Sequence, residues 1–159
     1  MKNDNEPWQV CKHAAFTLLT RRDYSAHALT QRLQTRGYTP ALIQQTLTYL
    51  TAQGLINDER YTEQLIHRSQ QKGIGPKRIG LALKMQGITN ELVTKWLHPH
   101  DVLWLTIARQ TWQKRFKGIK PTSPKERLKQ IRFLQYRGFS DEHIHQIVNT
   151  LETTEAMDP

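Results

Sequence analysis

The chain has 159 residues, of which 37% are hydrophobic and 23% are charged, and its formal net charge at pH 7 is +9. These proportions are typical of a soluble globular protein, and the length suffices for one domain or several small modules. No run of about 18 apolar residues indicates a membrane span, and the N-terminus lacks the apolar core of a signal peptide. The single Cys11 excludes an internal disulfide framework. We therefore expect a cytoplasmic protein.

The positive charge is concentrated in one stretch of the chain. Residues 109–137 contain ten basic residues and a single acidic residue, Glu126, so this stretch accounts for the whole surplus of +9. A field of this sign attracts polyanions or an acidic protein surface, and the attraction weakens as the salt concentration rises. The alternative interpretation is a solvated surface that only keeps the protein soluble.

The first third of the chain predicts three amphipathic helices, over residues 8–22, 26–36 and 40–53. Ser25 and Thr39 precede the second and third of these helices, and each supplies a side-chain oxygen that can cap a helix start. The inward face of the first helix is expected to comprise small and aliphatic residues: Cys11, Ala14, Ala15, Leu18 and Leu19.

The middle third predicts helices over residues 58–71, 77–86 and 90–97. A turn with two glycines interrupts the first of them, and Pro76 opens the second because a proline needs no N–H partner in a first turn. Gly87 ends the second helix, since glycine tolerates the left-handed conformation of a helix C-cap.

The last third predicts a helix over residues 101–117, a longer loop over residues 116–123 and a further helix that opens at Pro124. Ser123 can cap this further helix, with Glu126 completing a capping box. The inward face of the helix before the loop is expected to hold Leu105, Ala108 and Trp112.

An internal repeat organises these elements. Gly37, Gly87 and Gly138 stand 50 and then 51 residues apart, and each is followed by an apolar residue and a hydroxyl side chain that can cap a helix. Each glycine also has a leucine four residues before it: Leu33, Leu83 and Leu134. The sequence therefore predicts an all-α fold of three tandem three-helix repeats, over residues 8–56, 57–99 and 100–152. Because each repeat is too small to bury its own faces, we expect the three to stack into an elongated array.

No set of residues predicts an enzyme. His98 and His100, and likewise His143 and His145, are two residues apart, so they point to different sides of a helix and have no further ligand at metal-binding spacing. The segment 73–75, Gly-Ile-Gly, lacks the strand and the third glycine of a dinucleotide-binding fingerprint. Because no nucleophile, base and orienting group can be assembled, we predict no catalytic residue, no metal and no cofactor.

Binding is the remaining class of function, and two sets of cations are the predicted partner-binding residues. The first set flanks the glycine-rich turn before Pro76 and consists of Arg68, Lys72, Lys77 and Arg78. The second set lies in the basic stretch and consists of Arg109, Lys114, Arg115, Lys117, Lys129 and Arg132. Aromatic residues interleave with the second set, as on surfaces that stack bases or dock a protein. Their helical spacing favours core positions over contacts for Trp112, Phe116, Phe133 and Tyr136.

Three blocks of the sequence resemble the recurring blocks of the RecX family of bacterial recombinase regulators: LLTRRDYSAHALTQRL, GLINDERYTEQLIHRSQQKGIGPKRIGLALKMQGI and IRFLQYRGF. The resemblance covers about residues 14–151, and the middle block is the most specific. There, Asp58, Arg68, the Lys72-Gly73-x-Gly75-Pro76 turn and the Gly87-Ile88 end all match together. The resemblance implies a helical-repeat protein of DNA repair, recombination and the SOS response. Such a protein binds RecA or the RecA–DNA filament, usually inhibiting its ATPase and strand exchange.

An alternative from a different class is a nucleic-acid-binding helical module whose basic stretch contacts phosphates directly. Such a module binds bare duplex with a steep salt dependence, whereas a filament regulator prefers RecA-coated DNA. We expect a monomer with weak direct DNA binding at most and no membrane partner.

Overall fold

The computed structural model describes residues 6–153, and the side chains of residues 6–149. Within residues 6–153 the chain is entirely helices and turns, without a strand. Nine helices follow one another in that range: α1 Pro7–Arg21, α2 Ala26–Thr35, α3 Pro40–Ala52, α4 Asp58–Gln71, α5 Pro76–Met85, α6 Asn90–Trp96, α7 Leu103–Phe116, α8 Pro124–Arg137 and α9 Asp141–Thr153. The predicted all-α fold is confirmed, and the predicted bounds agree closely with these. None of the helices in residues 6–153 is long and apolar enough to cross a membrane.

Side-chain caps start several of the helices. The Ser25, Thr39 and Ser123 hydroxyls accept the N–H groups of Ala28, Leu42 and Glu126, respectively, as predicted. The capping box predicted for α8 is wrong in one detail. The Glu126 carboxylate accepts the N–H and the hydroxyl of Thr122, both at 2.8 Å, and not the N–H of Ser123. The carboxylate therefore fixes the end of the preceding loop.

The three repeats end their second helices in the same way. Gly37, Gly87 and Gly138 have φ angles of 89°, 70° and 94°, the left-handed conformation that glycine adopts without strain. The N–H of the residue after each glycine donates to the carbonyl of the leucine that lies four positions before the glycine, at 3.1 to 3.3 Å. These leucines, Leu33, Leu83 and Leu134, are all fully buried. Three three-helix repeats on one plan are confirmed.

The chain forms two compact units that do not follow the repeat boundaries, because residues of the second repeat belong to both. The first unit runs through Gln64 and also contains Leu83–Leu92. In it α1 packs against α2 and α3 around a core that includes Cys11, Ala14, Ala15, Leu18, Leu29, Leu33, Ile43 and Leu50. Cys11 is completely buried. The predicted repeat boundaries stay predictions.

The second unit contains Leu65–Ala82 and, within the described part of the chain, residues 93–153. In it α7 packs against α8 and α9. Its buried residues include Trp104, Ile107, Ala108, Trp112, Leu134, Phe139, Ile144, Ile147 and Val148. The Trp112 indole N–H donates to Gln130 Oε1 at 2.8 Å, and the Gln130 amide donates to the Ile119 carbonyl at 3.0 Å. This chain of hydrogen bonds fixes the loop between α7 and α8 to the core.

Each unit contains one junction between successive repeats. In the first unit, the Ser25 hydroxyl at the start of α2 donates to the Gln86 carbonyl at 2.7 Å, and Gln86 directly follows the last residue of α5. In the second, the Gly75 N–H at the start of α5 donates to the Arg137 carbonyl at 2.7 Å, before the turn that follows α8. Each junction pairs a donor at a helix start with a backbone carbonyl at a helix end, where the carbonyls lack partners within their own helix.

Candidate partner-binding groove

A groove on the second unit gathers basic side chains from two repeats. It lies between the C-terminal end of α4, helix α7 and the second half of α8, and its volume is about 290 Å³. Four cationic residues line it: Lys72, Lys114, Arg115 and Arg137. Among the described residues of its lining, none is an aspartate or a glutamate. The groove therefore has a positive potential that no acidic residue in its wall offsets.

A glycine brings the end of α4 against α7. Gly73 has a φ of 70°, and a Cβ atom there would lie 2.5 Å from the Oγ1 atom of Thr111 on α7. Both the backbone conformation and this close approach require glycine. The N–H of Ile74 then bonds to the Ser69 carbonyl at 2.9 Å, which closes the helix end. Gly73 thus positions its neighbour Lys72 beside α7.

Arg137 joins the two repeats at the groove. Its Nη1 donates to the backbone carbonyl of Lys72 at 3.0 Å. That carbonyl belongs to the C-terminal end of α4, where the helix dipole and the unpaired carbonyls favour a cation. The same guanidinium lies 5.2 Å from the centre of the Phe133 ring. One side chain therefore fixes the groove wall and contributes positive charge to it.

The ring of Phe133 holds a second guanidinium as well. Arg115 lies 5.8 Å from the Phe133 ring centre and 5.3 Å from that of Phe116. The two rings pack edge to face, with their centres 5.4 Å apart and an interplanar angle of 85°. Cation–π attraction and packing restrict both arginines, so less side-chain entropy is lost when a ligand binds them.

The ten cations predicted to bind a partner are all exposed, but the structure brings only some of them together. Lys72, Lys114 and Arg115 line the groove. Arg115 also lines a second hollow of about 300 Å³, together with Lys117 and Lys129. Five predicted residues line neither: Arg68, Lys77, Arg78, Arg109 and Arg132.

Several groove residues were missed from the sequence. Arg137 lies in the basic stretch but is not among the predicted partner-binding residues, and neither are Gln70, Gln71 and Gln110. The only sequence signal for Arg137 is its position directly before Gly138, in the turn that docks on the preceding repeat. Glutamine is common on exposed helix faces, so periodicity gives no reason to select these three.

The aromatic residues divide between core and surface. Trp112 is buried, as predicted. The prediction of a core position is wrong for Tyr136, whose side chain is 76% exposed. Leu134 is buried two positions earlier on α8, and residues two apart on a helix face different directions. The Arg78 guanidinium lies 5.2 Å from the Tyr136 ring centre, so this exposed ring is paired with a cation from α5.

Three family models match the chain in order: RecX, first three-helix domain, at residues 11–50; RecX, second three-helix domain, at residues 57–97; and RecX, third three-helix domain, at residues 105–148. The chain belongs to the RecX family. It is 35% identical over 138 residues to the regulatory protein RecX of Vibrio vulnificus (strain CMCP6), covering 87% of this chain and 90% of that protein. Identity to the regulatory protein RecX of Pseudomonas fluorescens (strain SBW25) is also 35%, covering 87% and 89%.

Solved RecX structures share this fold. The crystal structure of RecX from Lactobacillus salivarius has a TM-score of 0.76 at 20% identity and covers 92% of this chain and 97% of that one. A second crystal structure, of a regulatory protein RecX, has a TM-score of 0.74 at 16% identity and covers 91% and 72%. At these identities the likeness establishes the fold alone.

The groove of this RecX-family chain is equipped to bind an anion. The ionisable residues of its described lining are all lysines and arginines, which donate hydrogen bonds and accept none. Within residues 6–153, no group of three or more His, Cys, Asp or Glu side chains is placed to hold a metal ion. Charge recognition is the chemistry that the four cations of the groove offer.

Proposed function

We propose that this chain regulates RecA by binding the RecA protein or its nucleoprotein filament, in DNA repair and recombination. One observation carries the proposal: Lys72 from the second repeat and Lys114, Arg115 and Arg137 from the third converge on one groove in a RecX-family chain. The relatives named above are called regulatory proteins. A negatively charged protein surface that enters the groove neutralises four cations at once.

Regulation by this route needs no chemistry from the chain itself. A chain that binds one arrangement of adjacent RecA protomers more tightly than another shifts the filament toward that arrangement, and so changes its ATPase and strand exchange. Tandem repeats also offer more than one contact, and linked contacts strengthen binding without any single strong site. Inhibition is the expected direction, because a filament held in one arrangement cannot cycle.

The test is a titration of RecA ATPase on single-stranded DNA. We expect the wild-type chain to inhibit turnover, and Lys72→Glu together with Lys114→Glu to raise the concentration for half-inhibition by at least about tenfold, or roughly 1.4 kcal/mol. The control is Arg32→Glu with Lys84→Glu, which makes the same charge change at two exposed positions outside the groove. Unaltered turnover at several times the RecA concentration, with no co-purification of RecA, would contradict the proposal.

Direct nucleic-acid binding is the second candidate, and the surface of α8 favours it. Lys125, Lys129, Arg132 and Tyr136 recur at intervals of four, three and four residues, so they form one exposed stripe along the helix. Exposed cations contact phosphates, and the exposed Tyr136 ring, which the Arg78 guanidinium approaches from one side, offers its other side to a base.

Bare DNA separates the two candidates. If the chain contacts DNA through the stripe, Tyr136→Ala with Arg132→Ala weakens binding to a single-stranded oligonucleotide, and the affinity falls steeply with salt. If RecA is the partner, the chain binds RecA-coated DNA much more tightly than bare DNA, and the stripe substitutions leave inhibition of the ATPase unchanged.

A further inference from the structure

The groove on the second unit concentrates positive charge that no acidic residue of its described lining offsets. Four cations line a space of about 290 Å³, and none of the described lining residues is acidic. Like charges at short range repel, and an anion that enters relieves the repulsion while gaining hydrogen bonds from each donor. Two of the donors are guanidiniums already held against the Phe133 ring, at 5.2 and 5.8 Å from its centre. A planar guanidinium that is held in place in this way can donate two parallel hydrogen bonds to a carboxylate or a phosphate group.

The aromatic contacts in the groove argue against a nucleic-acid strand. Sequence-tolerant binding of single strands depends on aromatic faces that are open to bases. Among the described lining residues, Phe133 is the only aromatic one. Its ring is engaged by Arg137 and Arg115 and by the edge-to-face contact with Phe116. Tyr136, which is 76% exposed and has Arg78 over its ring, is not among the described lining residues.

The remaining lining suits a peptide. Three glutamines, Gln70, Gln71 and Gln110, have amide groups that both donate and accept hydrogen bonds, as the backbone of an extended peptide does. Gln71 already contacts the Nε2 atom of His67 at 3.2 Å, which leaves its amide oxygen available. The buried residues Ile107 and Thr111 form the floor, which is apolar at Ile107. The volume lies near the small end of ligand sites, about 300–1,000 Å³, and so accommodates a few side chains and not a duplex.

We infer that the groove binds an acidic peptide segment, whose carboxylates pair with Arg115, Arg137, Lys72 and Lys114 while a neighbouring apolar side chain lies on the floor. This inference rests on the proposed function, because it names the kind of surface that the groove takes from a protein partner. The RecA proposal does not say which part of the partner enters the groove. The inference names the ligand class as a short run of glutamates and aspartates with an aliphatic residue.

The test uses a short fluorescein-labelled peptide of glutamates and aspartates with one central leucine, and fluorescence anisotropy with the full chain. The matched probe has glutamine and asparagine at the acidic positions, and a labelled oligo(dT) is the nucleic-acid probe. We expect the acidic peptide to bind, the amide peptide to bind at least about tenfold more weakly, and Lys72→Ala with Lys114→Ala to raise the Kd for the acidic peptide by at least about tenfold.

A control variant separates the groove from net charge. Arg32→Ala with Lys84→Ala removes the same two charges at exposed positions outside the groove, and we expect its Kd to stay within about twofold of wild type, because remote surface charges are screened. Circular dichroism and urea unfolding check that both variants are folded. Equal losses in the two variants, or no measurable binding of the acidic peptide, would overturn the inference. A larger loss for oligo(dT) than for the peptide in the groove variant would overturn it in favour of nucleic acid.

The ATPase titration distinguishes this inference from the function on which it rests. If the groove variant loses inhibition of RecA but wild type does not bind the acidic peptide, the peptide inference fails and the RecA proposal stands. If wild type binds the peptide through the groove but does not inhibit or bind RecA, the proposed function fails and the ligand class of the groove stands.

Discussion

The guanidinium of Arg137 donates a hydrogen bond to the backbone carbonyl of Lys72, 65 residues earlier in the sequence, at 3.0 Å. Lys72 follows the last residue of α4, and Arg137 is the last residue of α8, so the contact ties the ends of helices from two repeats. The backbone of Arg137 takes part as well, because its carbonyl accepts the Gly75 N–H at 2.7 Å. The residue that closes the junction is therefore also part of the groove.

Arg137→Ala tests the first of these contacts. A hydrogen bond to a charged group contributes about 1.5–3 kcal/mol when it is buried, and partial exposure of Arg137 reduces the expected loss to about 1 kcal/mol in urea unfolding. Arg132→Ala, at an exposed position on the same helix, is the control and should change stability by less than about 0.5 kcal/mol. Similar losses for the two variants would show that the Arg137 contact does not stabilise the junction.

Gly75→Ala tests the close approach of the two repeats. A Cβ atom at Gly75 would lie 2.4 Å from the carbonyl carbon of Gly138, and a backbone atom cannot rotate away as a side chain can. We expect a loss of about 3 kcal/mol in the free energy of unfolding. The matched control is Gly80→Ala within α5, where the nearest atom is Leu97 Cδ2 at 3.5 Å. That change should stabilise by up to about 1 kcal/mol, because alanine favours the helix. A Gly75→Ala protein as stable as wild type would disprove the close approach.

Gln130→Ala tests the buried polar link in the second unit. The substitution leaves the Trp112 indole N–H and the Ile119 carbonyl without their partner, and an unsatisfied buried group costs about 1–3 kcal/mol. Trp112→Phe removes the donor, so the double variant measures the coupling between the two side chains. We expect the two losses to differ from additivity by at least about 0.5 kcal/mol. If the losses of the two single variants add up to the loss of the double variant, relative to wild type, the hydrogen bond makes no separate contribution.

Glu126 gives a pH-dependent prediction. The Thr122 N–H, followed by the Thr122 hydroxyl and the charge of Lys129, lowers the pKa of this carboxyl below its ordinary value. Because the folded pKa lies below the unfolded one, the stabilisation is present above the unfolded pKa and is lost as the pH falls through the folded pKa. Unfolding of wild type and Glu126→Gln at a series of pH values should therefore show the largest difference near neutral pH and none in strong acid.

The carboxyl of Glu126 can also be followed directly by NMR titration. Thr122→Ala removes the hydroxyl but keeps the N–H, so the pKa of Glu126 should rise part of the way back to its ordinary value. An unchanged titration in Thr122→Ala would show that the hydroxyl does not act on Glu126.

Local signals in the sequence were sufficient for the helices. Caps such as Ser25 and Ser123 act on groups within a few residues of themselves, and Gly87 ends α5 through its own backbone conformation. The error at Glu126 is equally local, because the N–H that its carboxylate accepts belongs to Thr122, the residue directly before the predicted donor Ser123. Tyr136 is exposed because it lies on the face of α8 opposite the buried Leu134. The two-residue spacing from Leu134 is a sequence signal for this exposure.

The sequence by itself determined the nine helices, the three repeats, the buried leucines and the concentration of charge, because caps, periodicity and composition depend on neighbours along the chain. Only the tertiary structure decided which cations meet. Lys72 joins Lys114 and Arg115 because Gly73 fits against Thr111 and Gly75 against Gly138. These approaches connect residues tens of positions apart, and the residue types alone do not show that a Cβ atom at either glycine would find no room.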